Sequence, residues 1–362
     1  MQRARTVPSR QGGPPMKLVS TLLMLGISAT TFAATPPPIA MVMHGGAGKI
    51  LKKDMTPEME KAYRGKLAEA LRTGYAVLAK GGTSLDAVEA SIRVLEDSPL
   101  FNAGKGAVFT HEGRNELDAA IMDGKTMQAG AVAGVTIVKH PISAARAVME
   151  HSPHVMLAYK GADLFATEQG LEIVDPSYFW TERRWKALQK ILVKEREERE
   201  KGAEPGGHAA IPLKDSVHEF GTVGAVAVDR YGNIAAGTST GGLTNKMYGR
   251  IGDSPIIGAG TYADNKACGV SATGTGEYFI RWHVASRITD LMELKGLTVE
   301  QAANQVIDFL SSVGGDGGVI AMDAKGNIAM PFNTEGMFRG YIRNDGRPHV
   351  FMYSDEPRVG AH

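Results

Sequence analysis

An α+β fold, with layers of sheet covered by helices, is what this chain predicts. Three observations carry that expectation. Apolar runs of strand length occur both early in the chain and again after residue 222. Helical periodicities are grouped between these runs instead of alternating with them one for one. Two segments, Val226 to Ala236 and Val319 to Ala329, repeat one pattern of strand, Asp-x-x-Gly-Asn turn and strand, with helices between them. The composition agrees, since 43% hydrophobic and 22% charged residues in a chain of 362 support a substantial core. A net charge of +1 gives no electrostatic footprint for nucleic acid or an acidic membrane surface. The single cysteine, Cys268, excludes a disulfide within the chain, and its small neighbours make it a core residue before a nucleophile.

Residues 1–33 stand apart from the fold. Met16-Lys17 begins a second possible start, Leu18 to Thr30 is apolar, and Thr31-Phe32-Ala33 ends in a small residue, the pattern of a secretory signal peptide cut near Ala33. The run is shorter than the roughly 20 apolar residues of a membrane span. Export to the periplasm or the exterior is the expectation.

The folded part opens with a buried strand, Ile39 to Met43, running into the glycine-rich loop His44-Gly45-Gly46-Ala47-Gly48. The glycine spacing matches neither the dinucleotide fingerprint nor the P-loop. His44, closing a buried strand, reads as a hydrogen-bonded core residue or a catalytic one. Thr56-Pro57 caps a first helix with Met59, Tyr63, Leu67, Leu71, Gly74 and Leu78 on one face and Gly81-Gly82 at its end. Thr83 or Ser84 caps a second, with Leu85, Val88, Ile92 and Leu95 inward. After the irregular loop Ser98 to Gly104, Ala107 to Thr110 and Leu117 to Met122 flank a polar turn and predict a hairpin. Ala131 to Val138 is a further strand and Pro141 to Glu150 a helix. A charged stretch from Glu182 runs into a flexible linker over about 194–221, rich in Gly and Pro. Late in the chain, Ile280, Val284, Ile288, Leu291 and Leu294 predict one long helix, and Thr298-x-x-Gln301 is a capping box for the next.

Thr222 sits where the linker meets an apolar strand, between Gly221 and Gly224. Taken alone it reads as the first residue of a strand, as threonines often are. Cutting the Gly221–Thr222 bond would give it a free amine beside its own hydroxyl, and such an amine, with a pKa near 7.7–8.0, is a recognised base for threonine. Three polar, glycine-rich clusters follow: Gly237 to Gly242, Gly249 to Pro255, and Ser271 to Glu277. Together they hold what amide hydrolysis requires. Thr222 can attack, Thr240 can orient its hydroxyl, and the Thr273 hydroxyl with the Gly274 N–H can hold an oxyanion. Arg250 and Asp253 suit a substrate with both an α-carboxylate and an α-ammonium, although a surface ion pair would use the same residues.

The stretch Gly221 to Glu277, with His44 to Gly48 and Leu100 to Gly104, resembles the plant-type L-asparaginase/isoaspartyl peptidase family of N-terminal nucleophile hydrolases, over most of Met41 to Asn333. The resemblance implies a four-layer αββα sandwich made as a precursor that cuts itself before Thr222. Residues 34–221 would then form one chain and 222–362 the other, and the mature protein would be a dimer of such two-chain units. It makes Thr222 the nucleophile with Thr240 beside it, Arg250 and Asp253 the aspartyl clamp with help from the Gly276 carbonyl, and Thr273 and Gly274 the oxyanion hole. It also implies a sodium ion held by the backbone carbonyls of Leu95, Glu96, Ser98, Phe101, Ala103 and Lys105, and no organic cofactor. Tyr248 departs from the small residue or proline usual before Gly249-Arg250. The activity implied is hydrolysis of isoaspartyl dipeptides and L-asparagine; glycosylasparagine hydrolysis and a non-catalytic amino-acid-binding role are the alternatives.

Overall fold

The computed structural model describes residues 12–13, 38–200 and 221–358; the expected signal peptide at 16–33 and the part of the expected linker at 201–220 lie outside them. Residues 194–200, expected as the start of that linker, instead continue a helix. In chain order the strands are β1 (Ala40–Gly48), β2 (Leu117–Asp123), β3 (Ala129–Val135), β4 (Met156–Ala158), β5 (Val223–Val228), β6 (Ile234–Thr240), β7 (Thr261–Ala263), β8 (Cys268–Gly274), β9 (Gly317–Asp323), β10 (Ile328–Ala329), β11 (Gly336–Ile342) and β12 (His349–Tyr353). The α-helices are α1 (Pro57–Ala79), α2 (Ser84–Glu96), α3 (Pro141–His151), α4 (Tyr159–Glu168), α5 (Glu182–Glu200), α6 (Gly276–Trp282), α7 (Val284–Lys295) and α8 (Val299–Ser312).

Among the described residues the strands form two sheets. One has eight strands in the order β12-β11-β1-β5-β6-β2-β3-β4, and the other four, β10-β9-β8-β7. The central strands are apolar on both faces, and their alternation assigns each face to a different layer. On β1, Met41 and Met43 face the α1/α2/α3 core while Ala40 and Val42 face the second sheet; on β5, Ala225 and Ala227 divide in the same way from Val226 and Val228. On β9, Ile320 and Met322 point at the large sheet, and Val319 and Ala321 at α7 and α8. The result is a mixed α/β sandwich in which helices cover the outer faces of two stacked sheets.

Local chemistry explains the elements. Thr56 accepts from the Met59 amide at the start of α1, and Thr83 with Asp86 closes a full capping box on α2. Gly74 brings α1 close to its neighbours: a Cβ there would lie 2.2 Å from Ser91 Oγ and 2.5 Å from Met41 Sδ. Met59, expected inward, is exposed in the first turn. The repeated Asp-x-x-Gly-Asn turns are built alike. Asp229 Oδ1 accepts from Tyr231 and Asn233 amides at 2.9 and 3.0 Å, and Asp323 Oδ1 from Lys325 and Asn327 at 2.9 and 3.0 Å.

Two further expectations are corrected. Ala107 to Thr110 does not pair with β2; Asn115 Nδ2 donates to the carbonyls of Ala107 and Val108, and the Val108 amide donates to Asn102 Oδ1, so side chains take the groups a ladder would need. β2 pairs with β3 and β6 instead. The single helix expected through Ile280 to Leu294 is broken at His283, which is left-handed at φ 49°. The amides of Ala285 and Ser286 donate to the carbonyls of Ala259 and Gly258, outside the helix, and Leu294 is exposed.

Candidate active site

β5 and β6 are neighbours in the middle of the large sheet, and β5 begins at the end where β6 stops, so the antiparallel register that pairs Val223 with Ser239 also brings Thr222 beside Thr240. Their hydroxyl oxygens lie 2.9 Å apart. The Gly242 amide donates to Thr240 Oγ1 at 3.0 Å, fixing that hydroxyl from its other side. Cys268, by contrast, is buried in the layer under α7 and α8, and burial pushes its thiol far up, away from nucleophilic use.

The peptide bond before Thr222 is gripped. The Asn102 amide donates to the Gly221 carbonyl at 2.9 Å, and the Asn102 carbonyl accepts from Gly241 at 3.0 Å. The Asn102 side chain is held in turn, donating to the Gly242 carbonyl at 2.7 Å and accepting from Val108 at 2.9 Å. Gly46, at φ 110°, packs against the same bond; a Cβ there would fall 2.5 Å from Gly221 Cα. The carbonyl of Thr222 itself accepts from His44 Nδ1 at 3.0 Å.

Thr273 stands near the end of β8, buried, with its oxygen accepting from the Ala47 amide at 3.2 Å. That contact uses the oxygen as acceptor, and the hydroxyl hydrogen has no acceptor among the described residues. Gly274 follows where a Cβ would strike the Asp316 carbonyl at 2.4 Å and Phe279 Cε2 at 2.6 Å.

Arg250, which is partly buried, and Asp253, which is buried, belong to one cluster instead of forming a surface pair. The Arg250 guanidinium makes a two-pronged ion pair with Glu277, Nε and Nη2 each at 2.9 Å from a carboxylate oxygen. Its Nη1 side faces Gly242 and Gly252, where added Cβ atoms would come within 3.4 and 2.8 Å of Nη1. Asp253 is buried, and its Oδ2 has no hydrogen-bond partner among the described residues. Burial pushes its carboxyl up to about 7, with nearby Arg250 pulling it back. Gly276 is in contact with both: a Cβ there would lie 2.9 Å from Arg250 Nη2 and 2.9 Å from Asp253 Oδ1. An orphaned carboxylate oxygen beside a guanidinium can receive a zwitterion, its ammonium on Asp253 and its carboxylate on the Nη1 side of Arg250. Gly242 ties the two halves together, since its amide holds Thr240 while a Cβ on it would lie 3.4 Å from Arg250 Nη1.

Glu277 and Asn102 are site residues that the motif reading passed over. Glu277 opens a helix, where a carboxylate reads as a cap; Asn102 sits in a loop whose asparagine reads as turn chemistry. Tyr248 is 86% exposed in a left-handed conformation before Gly249, whose carbonyl accepts from the Tyr159 hydroxyl.

Leu95, Glu96, Ser98, Phe101, Ala103 and Lys105 lie on the end of α2 and the loop after it. The loop folds back on its own carbonyls. A Cβ on Gly104 would lie 2.3 Å from the Glu96 carbonyl oxygen and one on Gly106 2.0 Å from that of Phe101. Two of the six carbonyls already accept within the loop, that of Leu95 from the Ser98 amide and that of Ala103 from the Gly106 amide.

A family model described as asparaginase matches residues 37–352. An isoaspartyl peptidase of Salmonella typhimurium is 49% identical over 316 residues, covering 87% of this chain and 98% of its own. The isoaspartyl peptidase of Escherichia coli is 47% identical over 87% of this chain and 96% of its own. A plant-type L-asparaginase of Pyrococcus horikoshii is 43% identical over 89% of this chain and the whole of its own.

Proposed function

The chain belongs to the plant-type L-asparaginase/isoaspartyl peptidase family, and on that premise we propose that it is a self-cleaving threonine amidohydrolase releasing L-aspartate from isoaspartyl dipeptides and L-asparagine. The single observation that carries this reading is the pair of hydroxyls, Thr222 Oγ1 and Thr240 Oγ1 at 2.9 Å, directly after a Gly221 carbonyl already held by the Asn102 amide.

In maturation, Thr222 Oγ1 attacks the Gly221 carbonyl carbon, the Asn102 N–H meets the charge developing on oxygen, and the C–N bond breaks as the proton lost by Oγ1 passes, in net, to the Thr222 nitrogen. Water opens the resulting ester, leaving a carboxylate on Gly221 and a free amine on Thr222. Residues 34–221 and 222–362 thereby become the two chains. In turnover that amine takes the Oγ1 proton as Thr222 attacks the side-chain amide carbon of the substrate. The Thr273 hydroxyl and the Gly274 N–H hold the oxyanion, and the leaving amine departs with a proton. Water then hydrolyses the β-aspartyl ester and frees aspartate. Arg250 holds the α-carboxylate throughout, while Asp253 and the Gly276 carbonyl hold the α-ammonium.

Further parts of the reading draw on the resemblance and on the sequence of residues 16–33. The loop carrying Leu95, Glu96, Ser98, Phe101, Ala103 and Lys105 holds a sodium ion through its carbonyls, stiffening the segment that presents Asn102. The matured protein is a dimer of two-chain units, and Met16 to Ala33 directs it to the periplasm or the exterior. Support for these comes from the fold-back of the loop on its carbonyls, from the resemblance, and from the signal-like sequence respectively.

The test is a denaturing gel of the purified protein with N-terminal sequencing of the smaller band, which should begin Thr-Val-Gly-Ala. A panel of β-aspartyl dipeptides, L-asparagine and glycosylasparagine, scored for aspartate, then identifies the substrate. A single uncut chain with full activity would sink the mechanism.

A further inference from the structure

His44 has no role in the chemistry above, yet it touches the residue on which that chemistry turns. The ladder between β1 and β5 ends at the pair His44 and Gly224, and β1 is bulged between His44 and Gly46. Beyond that point Thr222 has no strand partner from β1; its carbonyl is held by the imidazole of His44 at 3.0 Å. The other ring nitrogen, Nε2, lies 2.9 Å from Ser271 Oγ. Ser271 Oγ is 2.6 Å from Thr238 Oγ1, and Thr238 Oγ1 is 2.7 Å from Thr261 Oγ1. All four side chains are fully buried.

One anchor sets the direction of the whole chain. A carbonyl oxygen only accepts, so Nδ1 carries the hydrogen that faces Thr222. Burial holds His44 neutral, pushing it down to about 3 against the pull of that carbonyl, so Nε2 is a bare acceptor. Ser271 must therefore give its only hydrogen to Nε2 and accept from Thr238. Thr238 is 2.6 Å from Ser271 but 3.2 Å from the Gly260 carbonyl, and Thr261 is 2.7 Å from Thr238 but 3.1 Å from the Ser254 carbonyl, so in each case the hydrogen goes to the shorter contact, along the run. Gly224 leaves the space this needs: a Cβ there would sit 1.9 Å from Ser271 Oγ and 2.5 Å from His44 Nε2.

We propose that His44 is a positioning residue for the nucleophile, oriented by a one-way run of hydroxyls from Thr261 through Thr238 and Ser271, and acting on the Thr222 carbonyl. The consequence is greatest after self-cleavage. Once the Gly221–Thr222 bond is cut, Thr222 is tethered only through its carbonyl side, and the hydrogen bond from His44 fixes the rotation that aims both the amine and Oγ1. This inference rests on the hydrolase reading and adds a residue to it.

Two substitutions separate the ring nitrogens. In His44→Asn the side-chain amide stands near Nδ1 and can donate to Thr222; in His44→Gln it reaches the Nε2 position and keeps Ser271 but leaves Thr222. His44→Asn should mature and keep kcat within a few fold. His44→Gln should mature more slowly and lose roughly tenfold in kcat with KM little changed, the size of one well-placed hydrogen bond. Ser271→Ala should fall between them. Equal loss in Asn and Gln variants, or a Gln variant indistinguishable from the unmodified enzyme, overturns the proposal. Long-range proton–nitrogen NMR of histidine-labelled protein reads the same point without substitution: hydrogen on Nδ1 supports the proposal, and hydrogen on Nε2 overturns it even if a variant fails to fold. If the unmodified protein matures but hydrolyses no β-aspartyl substrate, the hydrolase reading fails, and the maturation rates of these variants still judge His44.

Discussion

The Asn102 amide donates to the Gly221 carbonyl at 2.9 Å, across 119 positions of sequence, and so binds the oxygen of the bond expected to break. Its side chain supports that placement through Gly242 and Val108. Asn102→Ala removes both supports and leaves the Val108 amide without its acceptor. Self-cleavage of that variant should slow by about tenfold or more, in line with about 1–3 kcal/mol for an orphaned buried donor. The rate at which the two bands appear on a gel checks this, and an unchanged rate would remove Asn102 from the cleavage machinery.

Thr222→Ser and Thr222→Ala separate impairment from loss. Serine keeps the hydroxyl and, once cut, the amine, and lacks a methyl group worth around 1 kcal/mol in a packed site. It should mature slowly and retain some activity. Alanine has no attacking atom and should remain one folded, inactive chain. An active Thr222→Ala protein would move the nucleophile elsewhere in the site, with Thr240 the first suspect.

Thr273→Ala tests the oxyanion donor. The variant removes the hydroxyl hydrogen offered to the oxyanion and, with the oxygen, the acceptor of the Ala47 amide. Such a donor matters in the transition state more than in the ground state. A fall in kcat of roughly 10²–10³ with KM comparatively little changed is expected. Equal effects on both would point to binding instead.

Arg250→Ala should weaken every aspartyl substrate by about 2–5 kcal/mol while self-cleavage proceeds, because the precursor has no α-carboxylate to clamp. Glu277→Gln is the subtler variant. It keeps the hydrogen-bond geometry on one prong of the fork but removes the charge that holds the guanidinium, so KM should rise with kcat less affected. Steady-state kinetics with L-asparagine would decide both, and an unchanged KM in Arg250→Ala would remove the clamp.

The pH dependence of kcat/KM should carry the mark of Asp253. With its carboxyl raised to about 7 by burial, it is protonated below that pH and charged above it. Only the charged form pairs with a substrate ammonium, so kcat/KM should fall as pH drops through about 7. Bound substrate supplies the missing cation and draws the Asp253 pKa down, so this limb should be absent from kcat, which keeps the limb of the Thr222 amine. Identical acid limbs in kcat and kcat/KM would contradict the assignment.

What the amino-acid sequence determined by itself is local. Helix caps at Thr56, Thr83 and Thr298, the paired Asp-x-x-Gly-Asn turns and the apolar strand runs that became β1 and β5 depend on neighbours a few residues away, and each is found where it is expected. Thr222, Thr240, Arg250, Asp253 and Thr273 stood out as candidates because hydroxyls and opposite charges grouped in glycine-rich loops together supply what amide hydrolysis requires, even before their positions are known. Tertiary structure decided whatever depends on distant partners. Ala107 to Thr110 lost its strand to the amides of Asn115, and the helix through His283 broke because β-sheet loop carbonyls at Gly258 and Ala259 offered better acceptors. Arg250 acquired Glu277, and Asp253 lost its solvent. His44 could be read from the sequence as either core or catalytic. Its orientation came from packing β1 against β5 and β8, which set a carbonyl at one ring nitrogen and a serine hydroxyl at the other. A buried group's role is fixed by the partners that replace its water, and those partners lie far away along the chain.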